Sequence, residues 1–344
     1  MKAICCIVGC LAVAVGWAQP QYEVVDLTKQ FGEEFSARDI NNAGVVVGSM
    51  RLTFSQSQAC VIENGKLTML PMYQGKHSWT ALGINDQGDV LGAGTLGTGT
   101  YHSILYRGGK VIDIGIPGEP EVSGALAINN LGQVTGGMNG TPFVWENGVI
   151  TPVKGAGAAV AINDSTDLAG VSIVGNAHAS LWANGVYSDL HPSWAWQSRA
   201  ASINNLGEVV GEAWANAGGQ HGVLWRNGKA IQLPNFGGGQ SRAYDVNDLS
   251  QVVGWGSTGI GSLEAFLWQD GTLHALTDLM PFGHGYDLGW GQNINNASQV
   301  VALATVGTTT HWLVLNPVPE PSSFAVVVFG LISLTISFRL TRKG

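Results

Sequence analysis

The chain has little cysteine: four in 344 residues, with Cys5, Cys6 and Cys10 all inside the first ten. Cys60 stands alone beyond them, so no internal disulfide can staple the body. Its place in a strand-like run makes it a small buried hydrophobe rather than a nucleophile. Charge is scarce too, at 12% of residues. Without Lys2, Arg339, Arg342, Lys343 and Glu320, the 16 basic and 24 acidic residues become 12 and 23, a body of net charge −11. Phosphate backbones need clustered cations, so nucleic acid is excluded as a partner. Neither G-x-S-x-G nor H-E-x-x-H occurs, which removes two common hydrolase signatures.

What is plentiful is glycine, 49 residues without a G-X-Y period, as many tight turns between short strands require. The two ends are built differently. The opening "MKAICCIVGCLAVAVGWAQP" has Lys2, an apolar run from Ala3 to Val15, and Gly16 and Ala18 at the minus-three and minus-one places. It reads as a secretory signal peptide over 1–18, cut after Ala18. The box "IVGC" (7–10) offers lipid attachment at Cys10 as an alternative, although too few residues precede it to form an apolar core. A retained anchor helix is the other.

The closing segment, 318–344, sets Pro319, Glu320 and Pro321 before an apolar stretch from Phe324 to Phe338, followed by Arg339, Arg342 and Lys343. Fifteen helical residues reach about 22 Å, short of a ~30 Å hydrocarbon core. Ser322, Ser323 and a snorkelling Arg339 extend a transmembrane helix over 324–338. The basic end predicts a cytoplasmic C-terminus with the body outside, and a plain tail anchor is the simplest reading. These 27 residues also resemble the PEP-CTERM sorting signal of bacterial exported proteins. The resemblance implies an exosortase as partner, cleavage near the motif, transient anchoring in the inner membrane, and delivery to the cell surface or its polysaccharide matrix.

Between the ends one phrase recurs: "DINNAGVVVG" (39–48), "GINDQGDVLG" (83–92), "AINNLGQVTG" (127–136), "AINDSTDLAG" (161–170), "SINNLGEVVG" (202–211), "DVNDLSQVVG" (245–254) and "NINNASQVVA" (293–302). Periods near ~42 residues with strand-like content point to propeller blades. Each unit reads as four strands: one ending at Ile-Asn, one such as "QVVG", one such as "AFLW" (265–268), and one such as "KAIQL" (229–233). Asn, Asp and Gly accept left-handed backbone, so "NNLG" and "RNG" are tight reversals. The seventh unit lacks a fourth strand, while "YEVVDL" (22–27) is an orphan ahead of the first. Pairing the two closes a ring without an open edge. The expected fold is an all-β, seven-bladed β-propeller over 19–317, with an open superhelical stack as the alternative.

The units are similar to the HAF-repeat family of extracellular bacterial proteins, named for a His-Ala-Phe run. The His persists at His102, His178, His221 and His311, and "EAFLW" (264–268) comes nearest to the full run. The similarity spans roughly 22–315. It implies β-repeats and a surface location, and it brings no catalytic residues.

Several patterns imitate chemistry. "GAGTLG" (92–97) and "GWGSTG" (254–259) fit a dinucleotide fingerprint, but no helical pattern follows either, so both are expected to be loops. Four histidines in different blades lie around a ring and cannot meet at one zinc, which suggests a repeated hydrogen-bonding role. Asn85, Asp86 and Asp89 offer oxygens to calcium, but the parallel turns keep their shape with fewer carboxylates. No metal or other cofactor is expected.

Long, irregular connections share one face of such a ring, where loops with function belong. Trp145, Trp182, Trp225 and Trp268 end third strands and are read as packing. Trp79, Trp194, Trp196, Trp214, Trp255 and Trp290 fall in or beside the variable connections, and Trp79, Trp194, Trp196 and Trp290 form the candidate binding platform. Flat aromatic faces with few charges suit sugar rings. The expected function is a non-catalytic binding or structural scaffold for exopolysaccharide or another surface protein. The alternative is a secreted glycan-active enzyme, for which His191, His284 and Asp287 are the nearest candidates.

Overall fold

The Asn that ends each first strand folds the chain back on itself. In blade five, Asn204 Oδ1 accepts the N–H groups of Leu206 (3.1 Å) and Glu208 (2.9 Å), which turns the inner strand into the second. Third-to-fourth reversals place Asn64, Asn147, Asn184, Asn227 and Asp270 in left-handed backbone, with φ between 49° and 52°. These turns were read from their letters, and they hold.

The computed structural model describes residues 21–318 except 76, 97–99, 116–123, 217 and 282–283. The signal peptide with Ala18, the Pro319-Glu320-Pro321 motif and the helix expected over 324–338 lie outside the described residues. Among those described, seven four-stranded antiparallel sheets follow one another as blades, and Tyr22–Pro317 forms one compact unit. The inner strands are Phe35–Ile40, Trp79–Ile84, Gly124–Ile128, Ala158–Ile162, Ala195–Ile203, Gly237–Val246 and Asp287–Ile294. Blade seven takes its outermost strand, Gln21–Asp26, from the N-terminus, paired beside Thr309–Val318. The ring is closed, and the open stack is set aside.

The "VVG" letters have a steric cause. Each inner strand bulges just before its Asn, as between Ala200 and Ser202, and pushes a carbonyl toward the second strand. A Cβ on Gly211 would stand 2.1 Å from the Arg199 carbonyl oxygen, and one on Gly48 2.2 Å from that of Ser36. Only glycine fits at those two places, whereas blade seven carries Ala302 at the equivalent position opposite Gly291. Beside the bulge, Ala37, Ala81, Ala125, Ala159, Ala200 and Ala243 are buried, so adjacent blades pack closely. Trp145, Trp182, Trp225 and Trp268 are buried between blades, as packing residues should be.

Two readings change. Gly92–Leu96 belongs to the strand Val90–Leu96, and Gly254–Thr258 to Val252–Thr258. Both fingerprint-like runs are therefore extended strand rather than loop, because the repeat's glycine is a packing requirement. The histidines do share a hydrogen-bonding role. His178 bonds Asp189 (2.9 Å), His221 bonds Gln232 (3.1 Å) and His311 bonds Asp26 (2.8 Å), while His102 stands in ion-pair range of Asp113 at 2.9 Å.

Candidate functional site

The inner strands enclose a channel whose two mouths differ. At the templated face, the Nδ2 of each repeat Asn donates to the main-chain carbonyl of its counterpart in the next blade. These seven bonds run from Asn41 through Asn85, Asn129, Asn163, Asn204 and Asn247 to Asn295 and back to Asn41, at 2.8–3.1 Å. The following residues form a second ring. Each backbone N–H of Asn42, Asp86, Asn130, Asp164, Asn205, Asp248 and Asn296 donates to the Oδ1 of the next, at 2.8–2.9 Å. The three carboxylates alternate with asparagines, whose amides donate to their Oδ2 atoms at 2.8–3.2 Å. The oxygens suggested for calcium are thus engaged: Asp86 by Asn42, and Asp89 by Asn85 and Arg107.

Deeper in, a cavity of about 250 Å³ is lined by Asp39, Ser202, Asp245 and Asn293 on one arc and by Gly83, Ala127 and Ala161 on the other. Asp39 accepts from the N–H groups of Ile40 (2.8 Å) and, in the next blade, Ile84 (2.9 Å). Asp245 accepts from Val246 (2.9 Å), from Ser202 Oγ (2.6 Å) and from Ile294 of the next blade (2.9 Å). Burial pushes the Asp39 carboxyl up to about 7 against its backbone donors, and the charge of Asp245 adds to the rise. Burial alone lifts Asp245 to about 6.

Both groups hold protons more tightly folded than unfolded. Their contribution to stability is complete below the ordinary carboxylate range and is lost as pH rises through 6 and 7. His191, held below its usual value first by burial and then by His178, works in the opposite sense. Thermal or urea unfolding is expected to show a gain of up to about 4 kcal/mol on moving from pH 8 to pH 5, less what His191 takes back. Asp39→Ala with Asp245→Ala, which copies the alanines of blades three and four, should remove most of it. A parent no more stable at pH 5 would disprove the assignment.

The opposite mouth is asymmetric. Counting five residues back from each ring Asn gives Ser36, Thr80, Gly124, Ala158, Arg199, Arg242 and Trp290. Strand alternation places these on the channel side, across from the buried alanines. Blades one to four present small side chains, and blades five to seven present two arginines and a tryptophan. Arg242 Nε stands 2.6 Å from Oε2 of buried Glu212, an ion pair whose angle is too poor for a hydrogen bond. Burial lifts the Glu212 carboxyl above its usual range despite Arg242, Gln220 and Arg199. Arg242 also lies 4.7 Å over the Tyr244 ring, and Arg199 lies 5.5 Å over Trp214. With its amide oxygen turned toward Arg199, Gln197 accepts from Nη2 at 2.9 Å and Nε at 3.1 Å. Trp196, 47% exposed, stands 6.4 Å from Trp214 at an interplanar angle of 49°.

The four candidate tryptophans separate. Trp79 is 1% exposed and donates its indole N–H to the Pro71 carbonyl (2.9 Å), so it is packing and leaves the platform. It opens an inner strand rather than ending a loop. Trp194 is half-buried against the blade-five core, edge-on to His221 at 6.0 Å. Trp196 belongs to the exposed patch. Trp290 sits on the rim at blade seven, with blade six between them. Trp214 lies beside a variable connection in the sequence but is not among the four candidates; Arg199, Arg242 and Glu212 carry no sequence signal as site residues until both arginines are counted back from the ring Asn. His191 is spent on Ser198 Oγ (2.8 Å) and the Ala195 carbonyl (3.0 Å), and it stacks on His178 at 3.8 Å. His284 accepts from the Tyr286 N–H, and Asp287 opens the inner strand of blade seven, so these three do not form one constellation.

No family model matches the chain, and no curated protein does. Solved structures do. YCF48 bound to D1 peptide is similar at TM-score 0.54 and 13% identity, over 88% of this chain and 96% of that one. A puromycin-hydrolyzing peptidase of Mycobacterium tuberculosis is similar at TM-score 0.50 and 11% identity, over 79% of this chain and 49% of that one. TolB from Acinetobacter baumannii follows at TM-score 0.43 and 12% identity, with 67% of this chain spanning 62% of its length. At such identities the likeness extends to the fold alone: the chain is a β-propeller.

Proposed function

We propose that this is an exported, exosortase-processed surface or matrix protein whose propeller is a non-catalytic scaffold that binds polysaccharide at the variable mouth. Exposed Trp196, with half-buried Trp214 and Arg199 beside it, carries this reading. Aromatic planes cover the apolar faces of sugar rings, and an arginine beside them recognises hydroxyl or carboxylate groups. The templated mouth, by contrast, has its amides and carboxylates engaged with one another. A glycan-active enzyme would draw on Asp39 and Asp245, but those carboxylates hold backbone N–H groups of adjacent blades together.

Trp196→Ala and Trp214→Ala are expected to weaken binding to the producing cell's polysaccharide by roughly 5- to 150-fold, about 1–3 kcal/mol, with little change in melting temperature. Trp194→Ala and Trp225→Ala, which open core cavities, should melt early. The native surface fraction should lack residues 1–18 and everything past Pro319-Glu320-Pro321 by mass spectrometry. Unchanged binding in both mouth variants, or turnover of the polymer, would overturn the reading.

A further inference from the structure

A second site lies away from that mouth, between the outer parts of blades three and four, and it is clearest by comparison with its sister grooves. In blade two, Arg107 follows the last aromatic residue of the third strand. Its Nε meets Asp89 Oδ2 (2.9 Å), its Nη2 donates to the Gly132 carbonyl of the next blade (2.9 Å), and its Cζ lies 5.9 Å from the Trp145 ring. Blade five repeats this: Arg226 pairs with Glu208 and lies 5.9 Å from the Trp268 ring of blade six. In both places a guanidinium fills the groove between blades, held by a carboxylate and an aromatic face.

Blade three has Glu146 where the arginine stands and Gln133 where its carboxylate stands. Gln133 Nε2 reaches Glu146 Oε2 at 3.3 Å, so the Glu146 carboxylate occupies the place of the sister ion pair. The next tryptophan, Trp182, has no arginine over it among the described residues, and it is 3% exposed, with little of its ring reaching the groove. The result is an open groove of about 610 Å³ lined by Glu146, Thr151, Thr166 and Trp182, among others. Thr166 is the counterpart of Gly132, the residue whose carbonyl receives the sister guanidinium.

We infer that this groove receives an arginine side chain of a partner polypeptide, completing from outside what Arg107 and Arg226 complete from within. A carboxylate and an indole face hold the guanidinium in both sister grooves, and in blade two the Gly132 carbonyl joins them; a cation over tryptophan is attracted by the ring's negative face. The volume exceeds a guanidinium by several-fold, room enough for the side chain and its flanking backbone.

The test uses the full chain labelled at its tryptophan indoles, with the Trp182 signal assigned by its loss in Trp182→Phe. Acetyl-Gly-Arg-Gly-amide is expected to shift that signal saturably, with a Kd of about 1 mM or tighter. The isosteric citrulline peptide should bind at least about tenfold more weakly, as should the arginine peptide to Glu146→Gln. Gln133→Glu with Glu146→Arg, which rebuilds the sister pair, should abolish binding and raise the melting temperature. Should that double variant fail to fold, Glu146→Gln decides. Equal binding of the two peptides, no saturable shift, or full affinity in Glu146→Gln would overturn the assignment.

Discussion

Asn204→Ala is expected to reduce the unfolding free energy by about 3–5 kcal/mol, a large share of the 5–15 kcal/mol typical of a domain. The side chain is buried and makes four hydrogen bonds. It accepts from Leu206 and Glu208 N–H, and it donates to Glu208 Oε2 (2.7 Å) and the Asn247 carbonyl (2.9 Å). Alanine strands the buried Glu208 N–H, the part-buried Leu206 N–H and the Asn247 carbonyl, each buried group costing about 1–3 kcal/mol when left unpaired. Asn204→Asp keeps the acceptor but turns a charge toward the Asn247 carbonyl, so it should be no better. Leu206→Ala, at a position 63% exposed in the same turn, should fall within about 0.5 kcal/mol of the parent. Urea unfolding reads all three. A loss below about 1 kcal/mol at Asn204 would mean that the ring bonds are geometric company rather than a source of stability.

Deleting residues 21–26 is expected to undo blade seven. It removes Tyr22 from the core it shares with Leu288, Leu313 and Leu315, and it exposes the edge of Thr309–Val318. It also removes Asp26. Burial alone would raise this carboxyl, but the N–H of Lys29, Tyr286 and His311 together hold it below its usual range. Amide exchange across 309–315 should rise roughly a thousandfold, the equivalent of about 4 kcal/mol, while blades two to four change little. Unchanged protection there would show that blade seven stands on three strands.

The fold was legible because each blade repeats its own turn letters, and because an orphan strand and a missing one were complementary. The purpose of the Asn was only half legible. Its turn-forming oxygen follows from local sequence, but its amide reaches 34 to 48 residues onward, a pairing that no local pattern announces. Trp79 misleads for a related reason: in sequence it borders a loop, and only its bond to the Pro71 carbonyl and its burial show that the indole points inward. The arginines of the mouth are ordinary surface letters until they are numbered from the ring Asn. Their contiguity in blades five and six then stands out.

The alternating second ring has a parity consequence. Carboxylate and amide can alternate without fault around an even circle, but seven places force one like pair. Here the like pair is Asn296 and Asn42, joined through the Asn296 N–H and the Asn42 Oδ1 at 2.8 Å. It falls at the seam where the last repeat meets the first, and it is an amide pair rather than two facing carboxylates. The chain has placed its unavoidable mismatch at the junction its ends must close, and in the uncharged form. A variant with the first or the last blade duplicated would gain an even count, and a single Asn-to-Asp exchange in the added copy would let the circle alternate throughout.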